Sequence, residues 1–156
     1  MIRMILRHAK TADAEAICST VNYHAELGLM LHRSMESIYG ALREFQVAVD
    51  ENDKIVGCVA VDIFWSDLAE VKSLAVVPDM IGQGIGGRLL TAAIDDAKQM
   101  GVKRLFSLTY EQRFFERQGF EVIDRQDLPE KVWRECLACL KADACDEIAM
   151  MLVLSD

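Results

Sequence analysis

Leu74-Ala-Val-Val-Pro-Asp-Met-Ile-Gly-Gln-Gly-Ile-Gly-Gly-Arg-Leu-Leu90 decides how this chain is read. Its first four residues are apolar and run into Pro78, the way a strand leaves a sheet. Glycines follow at 82, 84, 86 and 87, and then apolar residues at helical spacing. A strand, a glycine loop and a helix N-terminus in that order turn bare backbone N–H groups toward an anion. Each glycine carries an entropic cost that plain packing does not need. The stretch therefore predicts a site for a phosphorylated cofactor.

Two familiar glycine loops fit poorly. A nucleotide P-loop needs Lys and Ser/Thr after its final glycine, whereas Gly87 is followed by Arg88 and Leu89. A dinucleotide fingerprint comes early in its domain and is followed by an acid about 20 residues on. This loop lies mid-chain, after a predicted hairpin.

The 156 residues, 52% of them apolar, suit one domain over residues 1–156 with a filled core. A net charge of −8 argues against nucleic acid as the main partner, since that binding rests on Lys and Arg at phosphates. No uncharged run approaches the roughly 18 residues of a membrane span, so no membrane partner is expected. Arg3, Arg7 and Lys10 are too closely spaced for a signal peptide. Five cysteines, an odd number, fit free thiols in a reducing compartment, and a cytoplasmic location is expected.

Outward from the glycine loop, apolar periodicity lays out the rest. A strand is predicted over 2–7, then a helix capped by Thr11 with Ala14, Ile17, Val21 and Ala25 as its buried stripe, closed by Gly28. Ser34 caps a second helix to about Arg43, with Met35, Ile38 and Leu42 on one side. Strands over 45–49 and 55–64 flank the turn Asp50–Asp53 and form a hairpin. A strand over 69–77 leads into the glycine loop, and the helix after it runs over 84–100 to Gly101. Then come a strand over 104–109, a short helix over 112–118 stopped by Gly119, a short strand over 121–123, a helix from Pro129 to about Leu140, and a final strand over 148–154. The class is α+β.

The loop resembles the acetyl-CoA loop of the GNAT acetyltransferase superfamily, whose pattern is Arg/Gln-x-x-Gly-x-Gly/Ala after a strand ending apolar-x-Pro. The glycines match, and the Arg/Gln slot holds Ile81. Phe114-Phe-Glu-Arg-Gln-Gly-Phe120 resembles the second landmark of that superfamily, a short helix ending in Gly-Phe. Four further stretches are similar to the acetyltransferase domain of the short-form, kinase-free N-acetylglutamate synthases. They are Gly28–Ser34, Leu68–Val76, Lys103–Thr109 and Asp127–Trp133. The resemblance implies a GNAT fold: a mixed, mostly antiparallel sheet with helices on both faces and a cleft between the strands ending near Val77 and Thr109. It implies acetyl-CoA as co-substrate, a homodimer, and acetyl transfer to the α-amine of an amino acid. L-Glutamate, at the first step of arginine biosynthesis, is the foremost acceptor.

The chemistry needs a neutral amine, a held thioester, a stabilised oxyanion and a proton for the departing thiolate. Glu70, early in the strand that leads to the loop, is the candidate base; a solvated carboxylate or an ion pair with Lys72 is the plainer reading. Leu74, Ala75 and Val76 offer backbone groups to the pantetheine arm, as a strand would. Ile81, Gly82, Gln83, Gly84, Ile85, Gly86 and Gly87 cradle the pyrophosphate by N–H donation, and Arg88 is either a helper or a surface side chain. Many GNAT enzymes carry a tyrosine where this chain has Phe115. Thr109 ends the strand facing the loop, and the resemblance to the synthases implies a hydroxyl there as proton donor, with Tyr110 beside it or an unaided thiolate as the alternatives. Arg33 is the candidate clamp on the α-carboxylate: guanidinium matches carboxylate as a fork, and the resemblance implies it, since the synthases carry an arginine at this Leu-x-Arg-Ser position. The plainer reading, an exposed arginine at a helix start, is disfavoured by the helix dipole. Lys72 and Arg113 are candidates for a second carboxylate, and Ser73 presents backbone or hydroxyl to substrate. His8, His24 and His32 are scattered, and only His32, beside Arg33, is a candidate to approach substrate.

Cys136, Cys139 and Cys145 stand as Cys-x2-Cys-x5-Cys without an obvious fourth ligand. A metal site, a redox-sensitive pair and packing thiols all remain open, and Trp133 reads as an anchor for the tail. Three alternatives stand beside the synthase reading: acetylation of another small amine such as glutamine, an acetyl-CoA-binding regulator without turnover, and a protein-modifying acetyltransferase.

Overall fold

The loop that opens the sequence reading is held by the sheet strand before it and the helix after it. The computed structural model describes residues 3–128 and 147–154. The expected helix from Pro129, Trp133, Cys136, Cys139 and Cys145 lie outside the described residues. Among the described residues the strands are β1 (Met4–His8), β2 (Phe45–Asp50), β3 (Ile55–Trp65), β4 (Leu68–Val76), β5 (Arg104–Thr109), β6 (Glu121–Val122) and β7 (Ile148–Val153). The helices are α1 (Ala14–Glu26), α2 (Met35–Gly40), α3 (Ile85–Gln99) and α4 (Gln112–Arg117). The strands form one sheet in the order β1-β2-β3-β4-β5-β7-β6. Antiparallel pairing joins β1 to β2, β2 to β3, β5 to β7 and β6 to β7; β4 and β5 run parallel. This is the expected α+β GNAT architecture.

The chain divides into two compact units, Met1–Asp62 with Val71–Asp96, and Ile63–Glu70 with Ala97–Asp156. In the first, the expected stripe of α1 is buried: Ala14, Ile17, Val21 and Ala25 all face the interior. Ala14, Ile17 and Val21 pack with Ile38, Phe45, Val47 and Ala75 in one apolar cluster, and Met35 and Leu42 lie against its edge. Ser34 caps α2 as expected, accepting from the Ser37 N–H at 3.0 Å. Helix α2 stops at Gly40, and a 3-10 turn over Leu42–Glu44 replaces the last turn of the expected helix.

Thr11 does not cap α1. It starts a 3-10 turn, Thr11–Asp13, and Asp13 takes the N-cap position of α1 without a side-chain bond to that helix, its carboxylate closing the 3-10 turn back onto Lys10. The Asp13 carboxylate accepts the Lys10 N–H at 2.7 Å and both arms of the Arg7 guanidinium at 2.7 and 3.1 Å. That hydrogen-bonded guanidinium holds the Asp13 carboxyl below the ordinary carboxylate range, against the opposing effect of burial. An acid that answers a backbone donor and a cation together outcompetes a hydroxyl that answers one donor.

In the second unit, β5 pairs with β7 along its whole length, from Arg104↔Val153 to Thr109↔Ile148. Phe64, Leu68, Phe106, Leu128 and Ala149 form its apolar cluster. The Phe115 ring sits edge-on to Phe114 and Phe120, with centroids 5.3 and 5.1 Å away. Phe115 is thus a core residue. Among the described residues no helix is long and apolar enough to cross a membrane.

Candidate functional site

Strand β4 runs out of the sheet at Val76, and a 3-10 turn over Pro78–Met80 breaks its direction. Proline fits the first position of that turn, having no N–H to leave unpaired. The segment that follows, residues 81–84, is exposed. Gly82 and Gly84 sit at φ 89° and 80°, the left-handed region that a side chain resists, and nothing lies within 4 Å of where a Cβ would stand. The Gly84 carbonyl accepts the Arg88 N–H at 3.2 Å, the opening rung of α3. The N–H groups of Ile85, Gly86 and Gly87 therefore precede the ladder and point out of the helix end. A 15-residue helix adds a positive dipole end at the same place. This open nest of amides fits a pyrophosphate, and a missing polar side chain at Ile81 leaves the backbone donors in place.

The root of the loop is closely packed. Val77 N–H donates to the Val56 carbonyl at 3.0 Å. Gly57 lies where β3 passes under α3: a Cβ there would stand 2.8 Å from Leu89 Cδ1, 3.3 Å from Ile85 Cγ2 and 3.2 Å from the Ala75 carbonyl. Only a residue without a side chain lets the first turn of α3 settle so near the strand.

Five residues before the proline, β4 is deformed. Ser73 has φ 55°, so the strict alternation of the strand fails there. The Cys58 thiol donates to its carbonyl at 3.4 Å. Burial pushes that thiol up to about 12, against opposing effects of the Ala75 backbone and the Arg33 charge. The Ser73 hydroxyl accepts Arg33 Nη1 at 3.1 Å. Arg33 Nε donates to the Ser37 hydroxyl at 3.1 Å, and its guanidinium carbon lies 5.3 Å from the centre of the Phe45 ring. Two residues singled out in the sequence 40 positions apart, Arg33 and Ser73, are thus in contact.

The other sequence-derived candidates stand elsewhere. Lys72 donates to Asp62 at 2.7 Å across the β3–β4 pair. Glu70 is buried in β4, opposite Phe106 of β5, and Thr109 is buried at the end of β5; both belong to the second unit. The Thr109 hydroxyl accepts the Glu111 N–H at 2.9 Å, so its own hydrogen is left to donate. Tyr110 is half-buried, and Arg88 and Arg113 are exposed. His32 is engaged by Glu26 at 2.5 Å. Among the described residues no cluster of three or more His, Cys, Asp or Glu is arranged to hold a metal.

Sequence reasoning missed three residues here. Asn22 holds the backbone of Arg33, His24 meets the Val76 carbonyl at 2.8 Å, and Gly57 admits α3. Asn22 and His24 lie among the polar residues of an amphipathic helix, where nothing local marks them. Gly57 carries a weak signal, a lone glycine inside an apolar strand.

The chain is similar to known proteins along most of its length. The profile described as the acetyltransferase (GNAT) family matches residues 5–120. An uncharacterized N-acetyltransferase of Chlorobaculum tepidum is 40% identical over 149 residues, 96% of each chain. An amino-acid acetyltransferase of Mycobacterium tuberculosis is 36% identical over 135 residues, covering 85% of this chain and 77% of that one. Among solved structures, Rv2747 of Mycobacterium tuberculosis, in complex with CoA and NLQ, superposes with a TM-score of 0.85 at 31% identity, over 97% of this chain and 99% of that one. The N-acetylglutamate synthase of Neisseria gonorrhoeae, complexed with coenzyme A and N-acetyl-glutamate, gives a TM-score of 0.90 at 27% identity. All of this chain is covered there, but only 36% of that longer one. With the glycine nest on α3 and a profile match across most of its length, the chain belongs to the GNAT family and is an acetyl-CoA-dependent N-acetyltransferase.

Proposed function

We propose that this enzyme acetylates the α-amine of L-glutamate, the reaction that opens arginine biosynthesis, as a cytoplasmic protein built as one catalytic domain over residues 1–156. The observation that carries the reading is the contact of Arg33 with Ser73, at the deformed point of the strand that feeds the glycine loop. A guanidinium already oriented by Ser37 and Phe45 is a fork for a carboxylate. Relatives named amino-acid acetyltransferases, and a neighbour solved with N-acetyl-glutamate, support the same class of acceptor.

In this reading Ile81–Gly87 bind the pyrophosphate through backbone N–H groups, and Leu74, Ala75 and Val76 bind the pantetheine arm. The Val76 carbonyl is already met by His24, so the N–H groups and the other carbonyls of that segment carry the pantetheine bonds. Arg33 and Ser73 hold the α-carboxylate. Glu70 takes a proton from the substrate ammonium, and the freed amine adds to the thioester carbonyl. The carbon–sulfur bond then breaks; the nitrogen gives its second proton to the Thr109 hydroxyl as that hydroxyl passes its own hydrogen to the thiolate, leaving a neutral amide, CoA thiol and an unchanged threonine.

One observation favours a second acceptor, L-glutamine. Lys72, a candidate for the side-chain carboxylate, already carries Asp62 at 2.7 Å. A substrate carboxylate would compete with Asp62, whereas a neutral amide would not. The deciding experiment is CoA release from acetyl-CoA with L-glutamate, L-glutamine, L-aspartate, L-lysine, a polyamine and a basic peptide as acceptors. The highest kcat/KM with glutamate is the expected result. Preference for glutamine transfers the role of Lys72 to the ion pair, and preference for the polyamine or peptide refutes the clamp at Arg33.

A further inference from the structure

Helix α1 touches both parts of the first unit's site through side chains that no motif marks. Asn22 meets the Arg33 backbone twice: Nδ2 donates to the Arg33 carbonyl at 2.8 Å, and Oδ1 accepts the Arg33 N–H at 2.8 Å. This is the pairing a neighbouring strand would make, supplied by one amide to residues 31–34, which have no regular structure of their own. The Cys18 thiol, one turn earlier, reinforces it by donating to the same carbonyl at 3.4 Å. The backbone of Arg33 is therefore fixed from α1, while its guanidinium is fixed by Ser37, Ser73 and Phe45.

Two residues along α1, His24 Nε2 lies 2.8 Å from the carbonyl of Val76. A carbonyl only accepts, so Nε2 carries the hydrogen. The Tyr23 ring stands edge-on to the imidazole at 5.3 Å. Val76 is the last residue of β4, and the next N–H, that of Val77, is taken by Val56. The strand is thus pinned on both sides where it gives way to the glycine loop.

We propose that Asn22 and His24 are positioning residues. From one helix, Asn22 sets the amino-acid clamp and His24 sets the end of the acetyl-CoA strand. The Asn22 half rests on the reading of Arg33 as carboxylate clamp; the His24 half rests on the use of β4 by acetyl-CoA. A shared helix fixes the separation of the two substrates, so each residue governs one substrate and leaves the other alone.

The test is steady-state kinetics on the full chain, with acetyl-CoA and the best acceptor varied in turn, beside a thermal melt of each variant. Two lost hydrogen bonds predict that Asn22→Ala raises the acceptor KM about tenfold and leaves that for acetyl-CoA within about twofold. His24→Phe is expected to raise the acetyl-CoA KM about three- to tenfold and leave that of the acceptor alone, one hydrogen bond being lost. His24→Gln restores most of the loss, because its amide can again donate. If Asn22→Ala does not fold, Asn22→Ser is read by the same split. Both KM values rising together in either variant, or equal defects in His24→Gln and His24→Phe, overturn the proposal. Arg33→Lys separates it from the clamp reading. If Arg33→Lys leaves the acceptor KM unchanged, the clamp falls and the Asn22 half with it. If Arg33→Lys raises that KM and Asn22→Ala does not, the positioning role of Asn22 alone falls.

Discussion

Replacing Gly57 by alanine tests how the glycine loop is held. The φ of Gly57 lies outside the left-handed region, so alanine meets no backbone strain there. The whole effect is steric. Its Cβ would stand 2.8 Å from Leu89 Cδ1, about 1 Å inside ordinary carbon–carbon contact. Leu89 is 0% exposed and Ile85 2%, so neither can retreat into solvent. The first turn of α3 must move outward, and the N–H groups of Ile85, Gly86 and Gly87 move with it. Overpacking of this kind costs about 1–3 kcal/mol. The reduced freedom of the unfolded chain returns about 0.4–1 kcal/mol, leaving a loss of roughly 1–2 kcal/mol. For a chain of this length that is a fall in Tm of about 3–6 °C. A thermal melt reads it, and kinetics should show a several-fold rise in the acetyl-CoA KM with a smaller change for the acceptor. Leu89→Val removes the atom in the way. The double variant should therefore be less destabilised than the two single effects added, by a coupling of at least about 0.5 kcal/mol. A Gly57→Ala protein with wild-type Tm and wild-type acetyl-CoA KM, or an additive double variant, refutes the reasoning.

Ser73→Gly should relieve the positive φ and remove the hydroxyl held by Arg33; stability then changes by less than about 1 kcal/mol, while the acceptor KM rises in steady-state assays. Glu70→Gln should lower kcat about a hundredfold or more, the usual contribution of a general base, with acetyl-CoA binding by calorimetry unchanged. Asp13→Asn should lose about 2 kcal/mol at pH 7, the contribution of a charge-assisted bond set. Because Arg7 depresses the folded Asp13 carboxyl, that stabilisation is complete above the unfolded value of about 3.9 and disappears as pH falls through the lower folded value. Melts at pH 7 and pH 3 should therefore show the gap between variant and wild type narrowing in acid. The Cys58 thiol, pushed up to about 12 by burial, should resist alkylation at pH 8 in the folded protein and react fully in denaturant, as read by peptide mass mapping.

Much of this fold is legible along the chain because its signals are local. The stripe at Ala14, Ile17, Val21 and Ala25 repeats at helical period, and Gly101 and Gly119 end their helices at φ 88° and 95°. Strand β5 runs from Arg104 to Thr109 as expected, because a short apolar segment between breakers has few alternatives. Thr11 failed as a cap because Asp13, two residues on, finds Arg7 on a neighbouring strand, and a cross-element ion pair leaves no mark on local spacing. The same holds for Asn22 and His24. Each is an ordinary polar residue on the helix, and its partner is 11 or 52 residues away. Side chains whose function is to grip distant backbone become visible only when the fold brings that backbone to them.

Ser73 joins the two kinds of information. The predicted strand over 69–77 puts Glu70 and Lys72 on one face by period two. The structure keeps the strand through Ser73 but holds that residue at φ 55°, where glycine would be the easy choice. A non-glycine residue holds such a conformation, at a cost of order 1–3 kcal/mol, only where its surroundings over-determine it. Here they do: Cys58 takes the carbonyl, and Arg33 takes the hydroxyl. Glycine would keep that conformation but lose the one group that ties it to Arg33. Serine at a strained position is therefore evidence that the hydroxyl matters. The contact it makes is with Arg33, the residue that the family resemblance implies as the carboxylate clamp.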